Sequence, residues 1–156
     1  MNKKLLLLVL SVFLTGIILS AGCMGASSDG NEDKISQFED KYGAQKVELY
    51  HFHTNNQCYS CVLLGELANE TVHTFYQDSL DSGKLVFDHI NIDDENNSQV
   101  VNKYEAAGSS LIIGVYGKNG EFYKENLAGA LYRINSPNSF ADYMKTILSP
   151  LLGGSI

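Results

Sequence analysis

The chain has 156 residues, room for one domain, with 11 Lys and Arg against 18 Asp and Glu and a formal net charge of −7. That acidic balance excludes phosphate-backbone binding as the main activity, so no nucleic-acid partner is expected. A hydrophobic share of 44% with 9 Tyr and 7 Phe excludes a disordered chain, and 3 Cys are too few for a disulfide-dense secreted scaffold.

Residues 1–22 read as a processing leader. Lys3 and Lys4 form a short basic start, and Leu5 to Leu19 carries no charge. That run falls short of the roughly 20 apolar residues of a spanning helix and fits the core of a signal peptide. Leu19-Ser20-Ala21-Gly22-Cys23 resembles the lipobox of bacterial and archaeal lipoproteins, with Ser20 where leucine is more usual. The resemblance implies cleavage before Cys23 and lipid on that residue. An uncleaved anchor and a plain secretory leader with a free Cys23 are the alternatives, and all three place the remainder outside the cytoplasm. Residues 23–31 read as a flexible tether, since their small polar residues cannot bury a core, and 32–156 as the domain.

Within the domain, Glu32 to Tyr42 carries Ile35, Phe38 and Tyr42 at helical spacing and stops at Gly43. Val47 to His53 alternates, with Val47, Leu49, His51 and His53 on one face and Glu48, Tyr50 and Phe52 on the other. A strand is expected there, running into the polar loop Thr54 to Gln57. From Cys61 the apolar residues keep a 3.6-residue period to Leu80, which predicts one long helix closed by Asp81-Ser82-Gly83. Leu85 to Ile92 alternates as a second strand, and Asp93 to Asn97 caps a helix over Ser98 to Tyr104. Leu111–Tyr116 and Glu121–Asn126 flank Gly117-Lys118-Asn119-Gly120 as a hairpin. Pro137 opens a last helix, expected to end at Pro150. This order predicts an α/β domain with a mixed sheet of about four strands covered by helices on both faces.

Cys58-Tyr59-Ser60-Cys61 falls between a strand and a helix. Two intervening residues bring the sulfurs within disulfide reach while leaving the first at the helix N-terminus. There the unpaired backbone N–H groups and the helix dipole favour a thiolate. Cys58 is therefore expected to attack, and Cys61, one turn in and more buried, to resolve the mixed disulfide. No cofactor is needed for that chemistry.

The series of a strand ending in Phe52-His53, the Cys58–Cys61 motif, Asn91-Ile92-Asp93, Lys103-Tyr104 and Gly108 before Leu111 resembles the thioredoxin superfamily over about Val47 to Leu151. It is most similar to small prokaryotic thioredoxin-like lipoproteins and secreted proteins, some labelled as subunits of a nitrophenyl-compound nitroreductase. The resemblance implies a three-layer thioredoxin-like fold, protein thiols and disulfides as partners, and a reductase as a further partner. In that family a cis-proline precedes the third strand; Ser109 or Ser110 takes its place here, and Ser110 and His53 are candidate auxiliary residues. Tyr59-Ser60 replaces Gly-Pro between the cysteines. For the buried acid of the family, Glu48 and His51 are the candidates.

The expected function is thus a thiol–disulfide oxidoreductase, lipid-anchored through Cys23 at the outer face of the cytoplasmic membrane. Two alternatives stand beside it. One is a Zn or Cu binding or delivery protein using Cys58, Cys61 and His53; the other is a non-catalytic thioredoxin-fold subunit of a reductase. Asp93-Asp94-Glu95 reads as a solvated capping loop, lacking the EF-hand pattern. His73 and His89 have no partner in view.

Overall fold

The computed structural model describes residues 30–153. The leader, Cys23, tether residues 23–29 and residues 154–156 lie outside the described residues. The chain runs through α1 (Gly30–Tyr42), β1 (Lys46–His53), α2 (Tyr59–Phe75), α3 (Gln77–Asp81), β2 (Leu85–Asn91), a 3-10 turn (Glu95–Asn97), α4 (Ser98–Tyr104), β3 (Ser110–Tyr116), β4 (Phe122–Asn126), α5 (Ala128–Leu131) and α6 (Pro137–Leu152). The first helix begins at Gly30, so the last two residues expected in the tether belong to it. Among the described residues no helix is long and apolar enough to cross a membrane.

Strand alternation builds the middle layer. The four strands are ordered β2-β1-β3-β4, with β1 parallel to β2 and the other two neighbouring pairs antiparallel. This is the mixed sheet expected, in thioredoxin-like topology. Because side chains alternate across a strand, β1 sends Val47 and Leu49 into the larger core, with Leu111, Ile113 and Val115 of β3, while Phe52 joins Ile90, Tyr104 and Ile112 on the opposite face. Helices α1, α2 and α6 contribute Ile35, Leu64, Leu67, Phe140 and Met144 to the larger core. Helix α4 covers the other face through Val100, Val101 and Tyr104. Both faces of β1 are consequently buried, and two of its polar residues, Glu48 and His51, are buried with it.

Three elements differ from the sequence expectation. The single helix over Cys61–Leu80 is two, broken at Tyr76 (φ −133°), whose ring is buried and whose hydroxyl meets Ser149 Oγ of α6 at 2.9 Å. Tyr76 fits the helical period, so only its long-range bond marks the break. The last helix runs through Pro150 to Leu152 and closes at Gly153 (φ +77°). A proline this near the end disturbs only the final turn, and the buried Leu151 holds that turn against the core. Finally, the four-residue α5 follows β4, its Gly129 and Ala130 buried; it is too short to show a period.

Candidate active site

The end of β1 leads through Thr54–Gln57 into the N-terminus of α2, and this junction is held on both sides. Asp93 accepts the backbone N–H of Asn55 at 2.7 Å, and the Asn91 amide donates to the Asn55 side-chain oxygen at 2.8 Å. Asn91 also accepts the N–H of Asp93 at 3.0 Å. Asn91 and Asp93 thus clamp the loop before Cys58 to the end of β2. Their neighbour Asp94 accepts the N–H of Asn96 at 2.9 Å and caps the 3-10 turn, so the acidic stretch is a clamp and a cap.

Cys58 is the N-cap of α2, and its Sγ accepts the N–H of Cys61 at 3.2 Å. The carbonyl of Cys58 accepts from Cys61 and Val62 at 3.0 and 3.1 Å. Cys58 and Cys61 are joined by a disulfide with their Cα atoms 5.0 Å apart. Cys58 is exposed and Cys61 half-buried, the asymmetry expected of an attacking and a resolving thiol. The first turn of α2 carries no acidic residue, so no carboxylate there opposes thiolate formation. Tyr59 and Val62, 80% and 39% exposed, give the surface beside Cys58 an apolar character.

Beneath this turn lies His51, 2% exposed. Parallel in-register pairing places His89 of β2 directly beside it, and the two Nδ1 atoms are 3.0 Å apart, so one donates to the other. A helix residue with any side chain would not admit the ring: a Cβ on Gly65 would stand 2.4 Å from His51 Nδ1. Gly65 is one helical turn after Cys61 and shares its face of α2. His51 Nε2 is buried and has no hydrogen-bond partner among the described residues. Burial, and then the charges of His89 and His53, push the His51 pKa down to about 4, while the Cys61 backbone favours its protonated form.

The other candidate for a buried acid, Glu48, occupies the opposite face. Its carboxylate accepts from Lys46 Nζ at 2.7 Å, Tyr104 at 2.7 Å and Tyr116 at 2.6 Å, with Lys103 Nζ at 3.6 Å. Burial alone would raise its pKa; the hydrogen bonds from Lys46, Tyr116 and Tyr104 and the charge of Lys103 outweigh that and hold it at about 2. Glu48 belongs to the scaffold and is removed from the cysteines.

His53 stacks on His51 (ring centroids 5.6 Å, 24°) and its Nδ1 is bonded to the Thr54 carbonyl at 3.1 Å. Ser110, opposite Phe52 at the start of β3, donates to the Gly108 carbonyl at 3.2 Å. Neither side chain is bonded to the cysteines. Among the described residues no group of three or more His, Cys, Asp or Glu is placed to hold a metal ion, so Cys58, Cys61 and His53 do not form a ligand set in this disulfide state. His89, without a partner in the sequence reading, is the residue that reading missed. His73 bonds Gln77 on its own side of the molecule.

No protein-family model matches the chain, and no curated protein matches it. Among solved structures, one titled "Structure of a malarial protein" is similar with a TM-score of 0.39 and 13% identity, covering 66% of this chain and 98% of its own. A likeness at that level assigns no function.

Proposed function

We propose that the chain is a thiol–disulfide oxidoreductase of the thioredoxin superfamily, anchored by lipid on Cys23 at the outer face of the cytoplasmic membrane and exchanging disulfides with protein partners. The observation that carries this reading is the Cys58–Cys61 pair itself, an exposed cysteine capping a helix with a half-buried partner one turn in. A purely structural role for so small a ring would add little, because closing a short loop removes little denatured-state entropy. In the reduced protein, the Cys58 thiolate attacks a partner disulfide and one partner sulfur leaves as thiolate. Cys61 then attacks Cys58, the protein disulfide forms, and the second partner sulfur is released. The exposed apolar Tyr59 and Val62 suit a protein partner better than a small hydrophilic thiol. The basic start at Lys3 and Lys4, the uncharged run Leu5 to Leu19 and the small residues before Cys23 support the anchor.

Trapping separates the roles. In the full-length chain, Cys61→Ser is expected to accumulate mixed disulfides through Cys58 when offered a disulfide-bonded protein, and Cys58→Ser to accumulate few. Equal trapping by the two variants would contradict the assignment. Mass spectrometry of the mature N-terminus checks the anchor: Cys23 bearing lipid is expected, and an unmodified Cys23 would contradict it.

A further inference from the structure

Resting on the lipid anchor at Cys23 and the redox reading of Cys58, we propose that the tether turns the cysteine end of the domain toward the bilayer, so that the partner disulfide belongs to an integral membrane protein and lies at the bilayer surface. The direction of α1 carries this. The helix runs antiparallel to β4: Lys34 Nζ is 4.0 Å from Glu125 Oε2, the Phe38 ring stacks on Tyr123 at 5.7 Å, and the Tyr42 carbonyl accepts from the Lys118 N–H at 3.3 Å. Across the sheet Glu125 is in register with Ile113 and Leu49, and Tyr123 with Val115 and Val47. Lys34 is therefore level with Leu49. Gly30, about 6 Å further along the helix axis, is level with the last residues of β1, which lead into the Cys58 loop. Tyr42 marks the other end, beside the Gly117–Gly120 turn. The chain from Cys23 thus joins the domain at its cysteine end.

Length converts that attachment into a reach. Residues 23–29 extend at most about 25 Å from Cys23 to Gly30. With the domain inverted and the Gly117–Gly120 turn against the bilayer, Gly30 would stand off by the rise of β1 from Lys46 to His51, about 17 Å, plus the turn itself. The tether would then be drawn almost straight, at a cost in chain entropy. With the cysteine end down it is slack. The space between that end and the bilayer is under about 25 Å, less than the roughly 30 Å width of a small folded domain. A soluble globular partner does not fit this gap, whereas an extended segment of an integral membrane protein does. Surface chemistry agrees. Tyr59 and Tyr132, 80% and 85% exposed, flank this end with Leu131. The Leu127 N–H, bonded to the Leu111 carbonyl at 2.8 Å, fixes the start of α5 there, and tyrosine rings suit the headgroup level of a bilayer. Asp93 to Glu95 follow β2, the edge strand farthest from β4 and the tether, so these charges sit at the far edge of the sheet. In the exchange the Cys58–Cys61 bond forms and the partner S–S bond breaks. The two protein sulfurs are oxidised, and the partner takes both electrons as two thiols.

The test uses the lipidated full-length chain in phosphatidylcholine vesicles. With Cys23 occupied by lipid, Cys61→Ser leaves Cys58 as the one free thiol, and a fluorophore there is compared with one placed by Asn119→Cys in a chain also carrying Cys58→Ser and Cys61→Ser. Energy transfer to acceptor lipids is expected to be stronger from residue 58 than from residue 119. The reduced unsubstituted chain is then offered a pyridyl disulfide carried either on a lipid headgroup of the same vesicles or on a soluble folded protein. Fast reaction is expected with the first and slow reaction with the second. An insert of about 20 Gly and Ser residues after Ala26, adding roughly 25 Å of average reach, should speed the soluble carrier several-fold and level the two transfer signals. Transfer equal to or stronger from residue 119 with the natural tether would overturn the orientation. A carrier rate unmoved by the insert would overturn the membrane-protein partner in favour of a soluble one. A chain that washes off the vesicles would instead overturn the lipid anchor, and failure to react with either disulfide, with the transfer difference intact, would overturn the oxidoreductase reading.

Discussion

Two polar residues three positions apart on β1 are both buried, and they have opposite fates. Glu48 faces the smaller core, where three donors meet its carboxylate at 2.6–2.7 Å. His51 faces α2 and the cysteines, with one nitrogen shared with His89 and the other without a side-chain hydrogen-bond partner among the described residues. Each has its own glycine notch: a Cβ on Gly114 would stand 2.1 Å from the Tyr104 hydroxyl that serves Glu48, as one on Gly65 would stand 2.4 Å from His51. Burial is therefore no guide to role by itself. A buried polar group with all its bonds made holds the fold, whereas His51 is left short of bonds beneath the turn that carries the disulfide.

The comparison breaks most sharply through the two partners. Glu48→Ala is expected to cost about 3 kcal/mol of stability in urea denaturation, since it strands the buried Tyr104 hydroxyl, takes the acceptor from the part-buried Tyr116 hydroxyl and leaves Lys46 and Lys103 without their carboxylate. Disulfide exchange should be unchanged. His51→Gln should show the reverse pattern, with a modest stability effect and a large kinetic one. If Glu48→Ala altered exchange as strongly as His51→Gln, the division between the two faces would fail.

Acid sharpens it further. The Glu48 pKa is lowered from 4.5 to about 2, so its contribution is complete above 4.5 and is lost as pH falls from there toward 2, about 3 kcal/mol in all. The His51 pKa is lowered from 6.5 to about 4. The folded state resists protonation that the unfolded chain accepts, so this contribution is present above 6.5 and is lost as pH falls through 4. Denaturation followed against pH should show both windows. Glu48→Gln should abolish the lower and His51→Gln the upper; a single window surviving both substitutions would contradict the assignment.

The glycine notches predict a smaller pair of effects. Gly114→Ala and Gly65→Ala should each destabilise the fold by about 1–3 kcal/mol through overpacking, and only Gly65→Ala should slow resolution of the mixed disulfide, because it displaces His51. Smaller still, Asp93→Ala should loosen the Thr54–Gln57 loop at a cost of about 1 kcal/mol, seen as faster amide exchange at Asn55.

Much of this was legible in the chain. Alternation in Val47–His53 and Leu85–Ile92 reveals two of the strands, the turn Gly117-Lys118-Asn119-Gly120 between Leu111–Tyr116 and Glu121–Asn126 reveals the other two as a hairpin, and the position of Cys58 and Cys61 at a strand-to-helix junction follows from where alternation gives way to a 3.6-residue period. What stayed hidden depends on distance along the sequence. The break at Tyr76 is held by Ser149, and the role of Asn91 and Asp93 depends on Asn55. His51 and His89 meet because β1 and β2 pair in parallel in one register, which neither strand's own pattern contains. Shifting that pairing by one residue would turn His89 to the other face.

The claim on which the rest depends is that Cys58 and Cys61 form a redox pair. It is tested most directly by equilibrating the purified full-length chain in glutathione and dithiothreitol buffers of graded potential, alkylating free thiols and weighing the products by mass spectrometry. The account predicts that Cys58 and Cys61 take up label together, in a single two-electron transition at one defined potential, while the chain stays folded. A disulfide that remains closed across the series until the chain is denatured, or thiols shielded from alkylation by a bound metal, would contradict it.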